Sequence, residues 1–259
     1  MFFKTIDFSK FSSIKVGQPE EVLVIEKGDH IPDGRYLIGA ANNLLVSPTP
    51  PPLMILGKDF AYLQQHDNGI LEIGAAMPTG RIVSYAKKHN IGGFEFCAKL
   101  PGTLGGMIAM NAGVKSYEIF KILHSIEIDG KWLPKEEIEY GYRYAKLPGI
   151  VTAARFKIIN PYNTKLHQEL LAMRNNQPPH PSAGSAFKNP EGDYAGRLIE
   201  AVGLKGYRKG GMAWSDIHAN FLVNLGGGTF HEAVSLLSLA KDRIKADFNI
   251  ILQEEIKVL

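Results

Sequence analysis

The chain has 259 residues, 45% of them hydrophobic and 21% charged, a soluble globular balance that excludes general disorder and leaves room for about two domains. Its formal charge of +3 suits an anionic small ligand better than the dense basic stripe of a nucleic-acid binder. The single cysteine, Cys97, excludes an intrachain disulfide and fits a reducing compartment. No apolar run approaches the ~18 residues of a membrane span. Charges at Lys4, Asp7 and Lys10 deny the opening residues the apolar core of a signal peptide, so a cytoplasmic protein is expected.

In chain order, the apolar runs 22–25 and 36–46 read as strands around turns. A proline-rich spacer, Ser47-Pro-Thr-Pro-Pro-Pro52, then interrupts any helix or central strand. Strand-like runs follow at 53–56 and 70–75, and then a helix over 80–89 with Ile82, Val83 and Ala86 on one face. A helix over 164–173 carries Leu166, Leu170 and Leu171, and Pro178-Pro-His-Pro181 marks a second boundary. Asp193 is placed to cap a helix that buries Leu198, Ile199 and Val202 and stops at Gly203. Thr229-Phe-His-Glu232 has the form of a capping box, behind which Ala233, Leu237, Ala240, Ile244 and Phe248 recur at helical spacing. The alternating run 250–258 reads as a final strand. Strands and helices are mixed throughout, so the class is α+β.

No histidine pair with metal-ligand spacing occurs, and the lone thiol adds no cluster, so no metal site is indicated. Cys97, beside Phe96 and Ala98, reads as a small buried apolar residue. Pro101-Gly-Thr-Leu-Gly-Gly106 is the densest phosphate-type signal: glycines leave successive backbone N–H groups unobstructed for an anion. Its spacing is neither the dinucleotide fingerprint nor a Walker loop. Gly39-Ala-Ala-Asn-Asn43 is a second polar turn able to meet the same ligand; either alone is more often a plain turn. Ser182-Ala-Gly-Ser-Ala-Phe-Lys-Asn-Pro190 gathers two hydroxyls, an amide and a cation on a loop, without the G-x-S-x-G of a hydrolase elbow. Asp216-Ile-His-Ala-Asn220, Tyr142-Arg143 and Glu254-Glu255 complete the set. Taken singly they read as a hydrogen-bonded surface turn, an ion pair and a solvated strand end.

In order along the chain, these pieces resemble the UDP-N-acetylenolpyruvoylglucosamine reductases of bacterial cell-wall synthesis (the MurB family). The resemblance runs from about Ser12 to Glu255. Its most specific parts are Leu100-Pro-Gly-Thr-Leu-Gly-Gly106 with Met110-Asn-Ala-Gly113, and Pro181-Ser-Ala-Gly-Ser-Ala-Phe-Lys-Asn-Pro190. Ala195-Gly-Arg-Leu-Ile-Glu-Ala-Val-Gly-Leu-Lys-Gly206 follows, running on to Ser215-Asp-Ile-His-Ala-Asn-Phe-Leu-Val-Asn224. The short stretch from Asn163 to Arg174 resembles the subclass that lacks the tyrosine-bearing substrate loop.

The resemblance implies an α+β, FAD-binding fold of the vanillyl-alcohol-oxidase type, two α+β subdomains plus a smaller α+β substrate domain. The expected division is 1–52 and 53–162 for the FAD subdomains, 163–249 for the substrate domain, and 250–259 as a strand returning to the active site. It also implies non-covalent FAD and NADPH as co-substrate, with Gly39, Ala40, Asn42, Asn43, Pro101, Gly102, Thr103, Gly105, Gly106 and Asn111 as the cofactor-binding residues. Ala41 stands where the family has glycine, and Asn42 where it has serine. By the same resemblance Ser185 is the proton donor, Arg143 and Glu255 are its catalytic partners, and Lys188, Asn189 and Gln177 hold the UDP-sugar. Ala145 replaces the serine of the arginine motif, and Gln253 replaces the first glutamate of the closing motif. The implied reaction converts UDP-N-acetylglucosamine enolpyruvate to UDP-N-acetylmuramate, with no nucleic-acid or membrane partner and a monomeric chain. The rivals are a flavin oxidase or dehydrogenase of the same fold acting on another small acid, and a nucleotide-sugar sensor without redox chemistry.

Overall fold

A buried Val-Leu-Val-Ile run opens the first sheet, and its continuous apolarity suits a parallel strand covered on both faces. In the computed structural model, which describes residues 1–173 and 177–259, this run ends the strand Pro19–Ile25. It pairs in parallel with Leu53–Leu56 in the register Val22↔Leu53, and Tyr36–Ile38 lies along the other side of Leu53–Leu56. A second, antiparallel sheet has the order Lys131–Pro134, Leu123–Ile128, Val151–Lys157, Ile70–Gly74, Leu63–His66. Leu71, Ile73, Ile126, Ala154 and Phe156 of this sheet share a core with Phe94, Phe96 and Phe120. The helix Thr79–Lys88 adds Ile82, Val83 and Ala86, the face its periodicity predicts. Cys97 is buried there as a small apolar group, and burial pushes its thiol pKa up. Together these elements make one compact unit of residues 1–4, 22–40 and 52–175.

The other unit gathers residues 5–21, 41–51 and 176–259. It interleaves segments that the sequence suggests are consecutive: residues 5–21 and 41–51, expected with the first FAD subdomain, cluster with the C-terminal third. The reasons are visible in the contacts. Ile14, Val16 and Leu45 share a core with Leu198, Ile199, Trp214, Leu237 and Ile244. The buried Asn224 amide donates to the carbonyls of Ile14 at 3.1 Å and Lys15 at 3.0 Å. Leu44–Leu45 pairs in parallel with Lys257–Val258. The unit's antiparallel sheet runs Ser182–Ser185, Phe221–Asn224, Met212–Trp214, Arg208–Lys209.

Its long helix, Phe230–Phe248, starts at the expected capping box, with the Thr229 and Glu232 side chains each accepting from the other's backbone N–H. Leu236 joins the buried stripe, whereas Phe248 is exposed at the helix end. Three further expectations are corrected. The helix Ala195–Ala201 takes its first-turn bond from Asn189 Oδ1, which accepts from Ala195 N–H at 3.1 Å, rather than from Asp193. Asp193 is engaged instead by Arg197 one turn on, whose guanidinium holds that carboxyl at about 2. Of Leu166, Leu170 and Leu171 on the helix Thr164–Ala172, only Leu170 is fully buried; the far end of that stretch, Arg174, lies outside the described residues. Finally, only Lys257–Val258 of the run 250–258 is a strand. The residues before it turn their N–H groups onto the loop after Ser185. Among the described residues no helix is long and apolar enough to cross a membrane.

Candidate active site

The glycine loop is folded by its own backbone. Thr103 caps the helix Leu104–Ala109, with its Oγ1 accepting from Gly106 N–H at 3.4 Å. The N–H groups of Leu104 and Gly105 go to the carbonyls of Met77 at 3.0 Å and Ala75 at 2.8 Å, and Thr79 N–H binds the Gly102 carbonyl at 3.0 Å. The loop is thereby welded to the turn ahead of the helix Thr79–Lys88. Gly39 meets the loop directly: a Cβ at residue 39 would stand 2.8 Å from Thr103 Oγ1. The two glycine turns singled out from the sequence therefore come together, and the absence of a side chain at 39 is what allows it.

Asn111 closes the same region. It is fully buried, its Oδ1 accepts from Phe120 N–H at 3.3 Å, and its Nδ2 donates to Gly141 O at 3.0 Å and Glu118 Oε2 at 3.3 Å. Its side chain is thus engaged by protein groups. Gly141 belongs to a hairpin, Glu139–Gly141 with Tyr144–Lys146, whose two-residue tip is Tyr142-Arg143. Arg143 has φ +61, an uncommon conformation for a residue other than glycine. Its guanidinium lies 5.0 Å from the Tyr142 ring centroid and donates to Gly113 O at 3.2 Å. Tyr140 stacks on Phe120 at 4.2 Å, which docks the hairpin.

In the second unit, Ser185 ends a strand whose register against Phe221–Asn224 shifts between Ser182↔Val223 and Ser185↔Phe221. The extra residue is accommodated at Gly184, with φ +82, so this bulge re-aims the serine relative to a regular strand. Beyond it, Ala186 N–H bonds to Asn220 O at 2.8 Å, while Ala186 O accepts from Glu255 N–H at 2.8 Å and Ile256 N–H at 3.3 Å. Lys188 N–H bonds to Gln253 O at 2.9 Å. Asn43 binds the same C-terminal segment: its Nδ2 donates to Glu255 O at 2.8 Å, and its carbonyl accepts from Lys257 N–H at 2.9 Å. Ser185, Lys188, Glu255 and Asn43 are thus brought onto adjoining backbone. Gln177 lies on a half-buried bend, and Asn189 is the residue that binds the helix start at Ala195.

Ala41 and Asn42 form the remainder of the second polar turn. Ala41 is buried with φ +50, and its carbonyl accepts from Ser13 N–H at 3.2 Å. Asn42 Nδ2 donates to Ser13 Oγ at 2.6 Å, while its Oδ1 is buried with no protein partner.

The run Asp216–Asn220, read from sequence as a surface turn, is only partly so. Ser215 Oγ accepts from Ile217 and His218 N–H at 3.1 and 3.2 Å, which forms the turn. His218 packs on the Phe221 ring at 4.9 Å, and burial lowers its pKa. Asn220 is 3% exposed, and its role escapes the motif reading. The available signal was an amide placed immediately ahead of the apolar run Phe221-Leu-Val.

Residues 176–259 match the family described as UDP-N-acetylenolpyruvoylglucosamine reductase, C-terminal domain. The chain is 48% identical to the UDP-N-acetylenolpyruvoylglucosamine reductase of Helicobacter hepaticus over 98% of both chains. It is 44% identical to that of Helicobacter pylori over the whole of both. The chain belongs to this reductase family. In three dimensions it is similar to the crystal structure of the Thermus caldophilus reductase, with a TM-score of 0.85 and 30% identity over 100% of this chain and 99% of that one. This family membership bears out the α+β flavoenzyme-type fold expected from the motifs and favours the reductase over the oxidase and sensor readings.

Proposed function

We propose that this protein reduces UDP-N-acetylenolpyruvoylglucosamine to UDP-N-acetylmuramate, a step of bacterial peptidoglycan synthesis. The observation that carries this reading is 48% identity over 98% of both chains to a reductase of that name. The backbone contacts that gather Ser185, Glu255 and Lys188 support it. In the balanced reaction NADPH and a proton are consumed, a hydride and a proton add across the enolpyruvyl double bond, and NADP⁺ is released.

FAD is the cofactor that fits the two glycine turns, held non-covalently because neither turn offers an attachment residue. Bound there, it supplies hydride transfer between NADPH and the substrate. The residues proposed to hold it are Gly39, Ala40, Asn42 and Asn43 with Pro101, Gly102, Thr103, Gly105, Gly106 and Asn111. The bonds given above sort these roles. Thr103, Gly105 and Asn111 fix the loop through contacts within the protein, so their contribution is the shape of the backbone.

On the substrate, Arg143 and Glu255 are the groups proposed to stabilise negative charge building toward the enolpyruvyl carboxylate, one as a fixed cation and the other as an acid. Ser185 gives the proton to the adjacent carbon. Lys188, Asn189 and Gln177 are proposed for the UDP-sugar. A cytoplasmic, monomeric enzyme completes the proposal.

The test is an anaerobic absorbance experiment on purified protein. A yellow flavin spectrum should be bleached by NADPH and restored by the enolpyruvyl sugar, and acid precipitation should leave the flavin in the supernatant. Colourless protein sinks the cofactor reading. Bleaching without restoration sinks the substrate.

A further inference from the structure

Asn220 is a buried amide that behaves as a strand partner. Its Oδ1 accepts from Phe187 N–H at 3.0 Å and its Nδ2 donates to Phe187 O at 2.8 Å, while its own carbonyl accepts from Ala186 N–H at 2.8 Å. One residue thus fixes three backbone groups of Ala186 and Phe187, directly after Ser185. The regular ladder cannot do this, because the bulge at Gly184 breaks the register of Ser182–Ser185 against Phe221–Asn224. The segment fixed in this way is the one that receives the C-terminal chain: Ala186 O takes Glu255 N–H, and Lys188 N–H goes to Gln253 O. Phe187 itself is fully buried and stacks on Trp214 at 5.9 Å, so its backbone cannot turn to water for replacement bonds.

We infer that Asn220 is a positioning residue for the reaction, setting Ser185 and Glu255 relative to one another by clamping the Phe187 peptide. It touches no reacting atom. The inference rests on the reading of Ser185 as the proton donor. Its physical basis is that displacing a reacting group by about 1 Å costs on the order of 10²-fold in rate.

The test uses the holoenzyme and follows the two halves of the cycle by stopped flow. Asn220→Ala should keep its flavin and be bleached by NADPH within about threefold of the wild-type rate. Reoxidation by the enolpyruvyl sugar should slow by about 10- to 100-fold. Amide hydrogen exchange should rise in residues 183–188 and 253–256 together. In the Ser185→Ala background, Asn220→Ala should slow reoxidation by a smaller factor than it does alone, because the serine it positions is already gone. Should the alanine variant fail to fold, Asn220→Asp keeps the volume and the acceptor for Phe187 N–H but loses the donor, and it should show the same split.

A wild-type second half-reaction in either Asn220 variant, with Ser185→Ala slow, overturns the positioning role alone. Equal slowing of both halves, or full additivity with Ser185→Ala, also overturns it by making Asn220 a general stabiliser. Ser185→Ala at the wild-type rate overturns the proton-donor reading, and the positioning role with it.

Discussion

Arg143 sits at the tip of a two-residue turn, where its guanidinium donates to the Gly113 carbonyl and lies over the face of a neighbouring tyrosine, on a left-handed backbone. Ser185 lies on a bulged strand whose following peptide groups are bonded by a buried amide and by the C-terminal segment. Under the roles proposed for them, the contrast matches what each side chain has to reach. A guanidinium on a long stem can correct small errors of its backbone, because it presents several donors over a wide arc. A serine hydroxyl sits one bond from Cβ and inherits every error of the chain beneath it. The first can stand on a hairpin; the second needs a rigid frame.

That comparison is broken most completely by removing the frame. Deleting residues 250–259 takes away the buried Leu252 and Ile256 and the pairing of Lys257–Val258 with Leu44–Leu45. At about 1.5–3 kcal/mol per buried aliphatic side chain, the second unit should lose several kcal/mol, and turnover should vanish. A denaturant melt and an NADPH-oxidation assay check both. Glu255→Gln separates frame from charge: its backbone bond to Ala186 survives, so flavin content and stability should hold while activity falls. Full activity in that variant removes Glu255 from the chemistry.

Arg143→Ala should slow substrate-dependent reoxidation by about 10²–10³-fold, the scale for losing a preorganised charge partner. Because the residue is at a hairpin tip, the melting temperature should change little. Arg143→Lys should recover part of the rate, in keeping with a cation that adjusts its own aim. A rate at or below that of alanine would instead show that the planar fork is required.

Ser185→Ala should be reduced by NADPH at close to the normal rate and reoxidised about 10²-fold more slowly. Ser185→Cys, a stronger acid of similar shape, should recover part of that loss. Were the serine only a turn residue, cysteine would give no benefit over alanine. Stopped-flow traces of the two halves decide it.

The smallest effect is expected at Ala41, buried with φ +50 where the family pattern has glycine. Ala41→Gly should raise stability by about 0.5–1 kcal/mol, since a left-handed backbone is strained for alanine. For a domain of this size that is about 1–4 °C in Tm. An unchanged or lower Tm would show that the Ala41 methyl packs well enough to offset the strain.

Much of this architecture is legible from local signals. The capping box at Thr229 and Glu232, the apolar face of Thr79–Lys88 and the stop at Gly203 each depend on residues within one turn. The ordered motifs identify the family because several short patterns recur together. Illegible from the sequence are the bonds that join distant segments. Asp193 has the chemistry of a cap but is taken by Arg197, while Asn189 supplies the bond. Run 250–258 alternates like a strand, yet Glu255 and Ile256 turn onto Ala186. Asn220 resembles a turn residue because its partner, Phe187, is 33 positions away. In each case a side chain or backbone group competes for partners that only the tertiary fold supplies.

The interleaving of the two units also sets an order for folding. Leu44–Leu45 cannot pair with Lys257–Val258, nor Asn224 reach the carbonyls of Ile14 and Lys15, until the ends of the entire stretch 52–175 have been drawn together. Closing so long a flexible loop carries an entropic cost that grows with its length. Once residues 52–175 have collapsed onto their own core, the loop that remains is no longer a flexible chain. The unit that bears Ser185 is therefore expected to complete its structure after its neighbour, and refolding followed by a probe in each unit would overturn this if the two signals arose together.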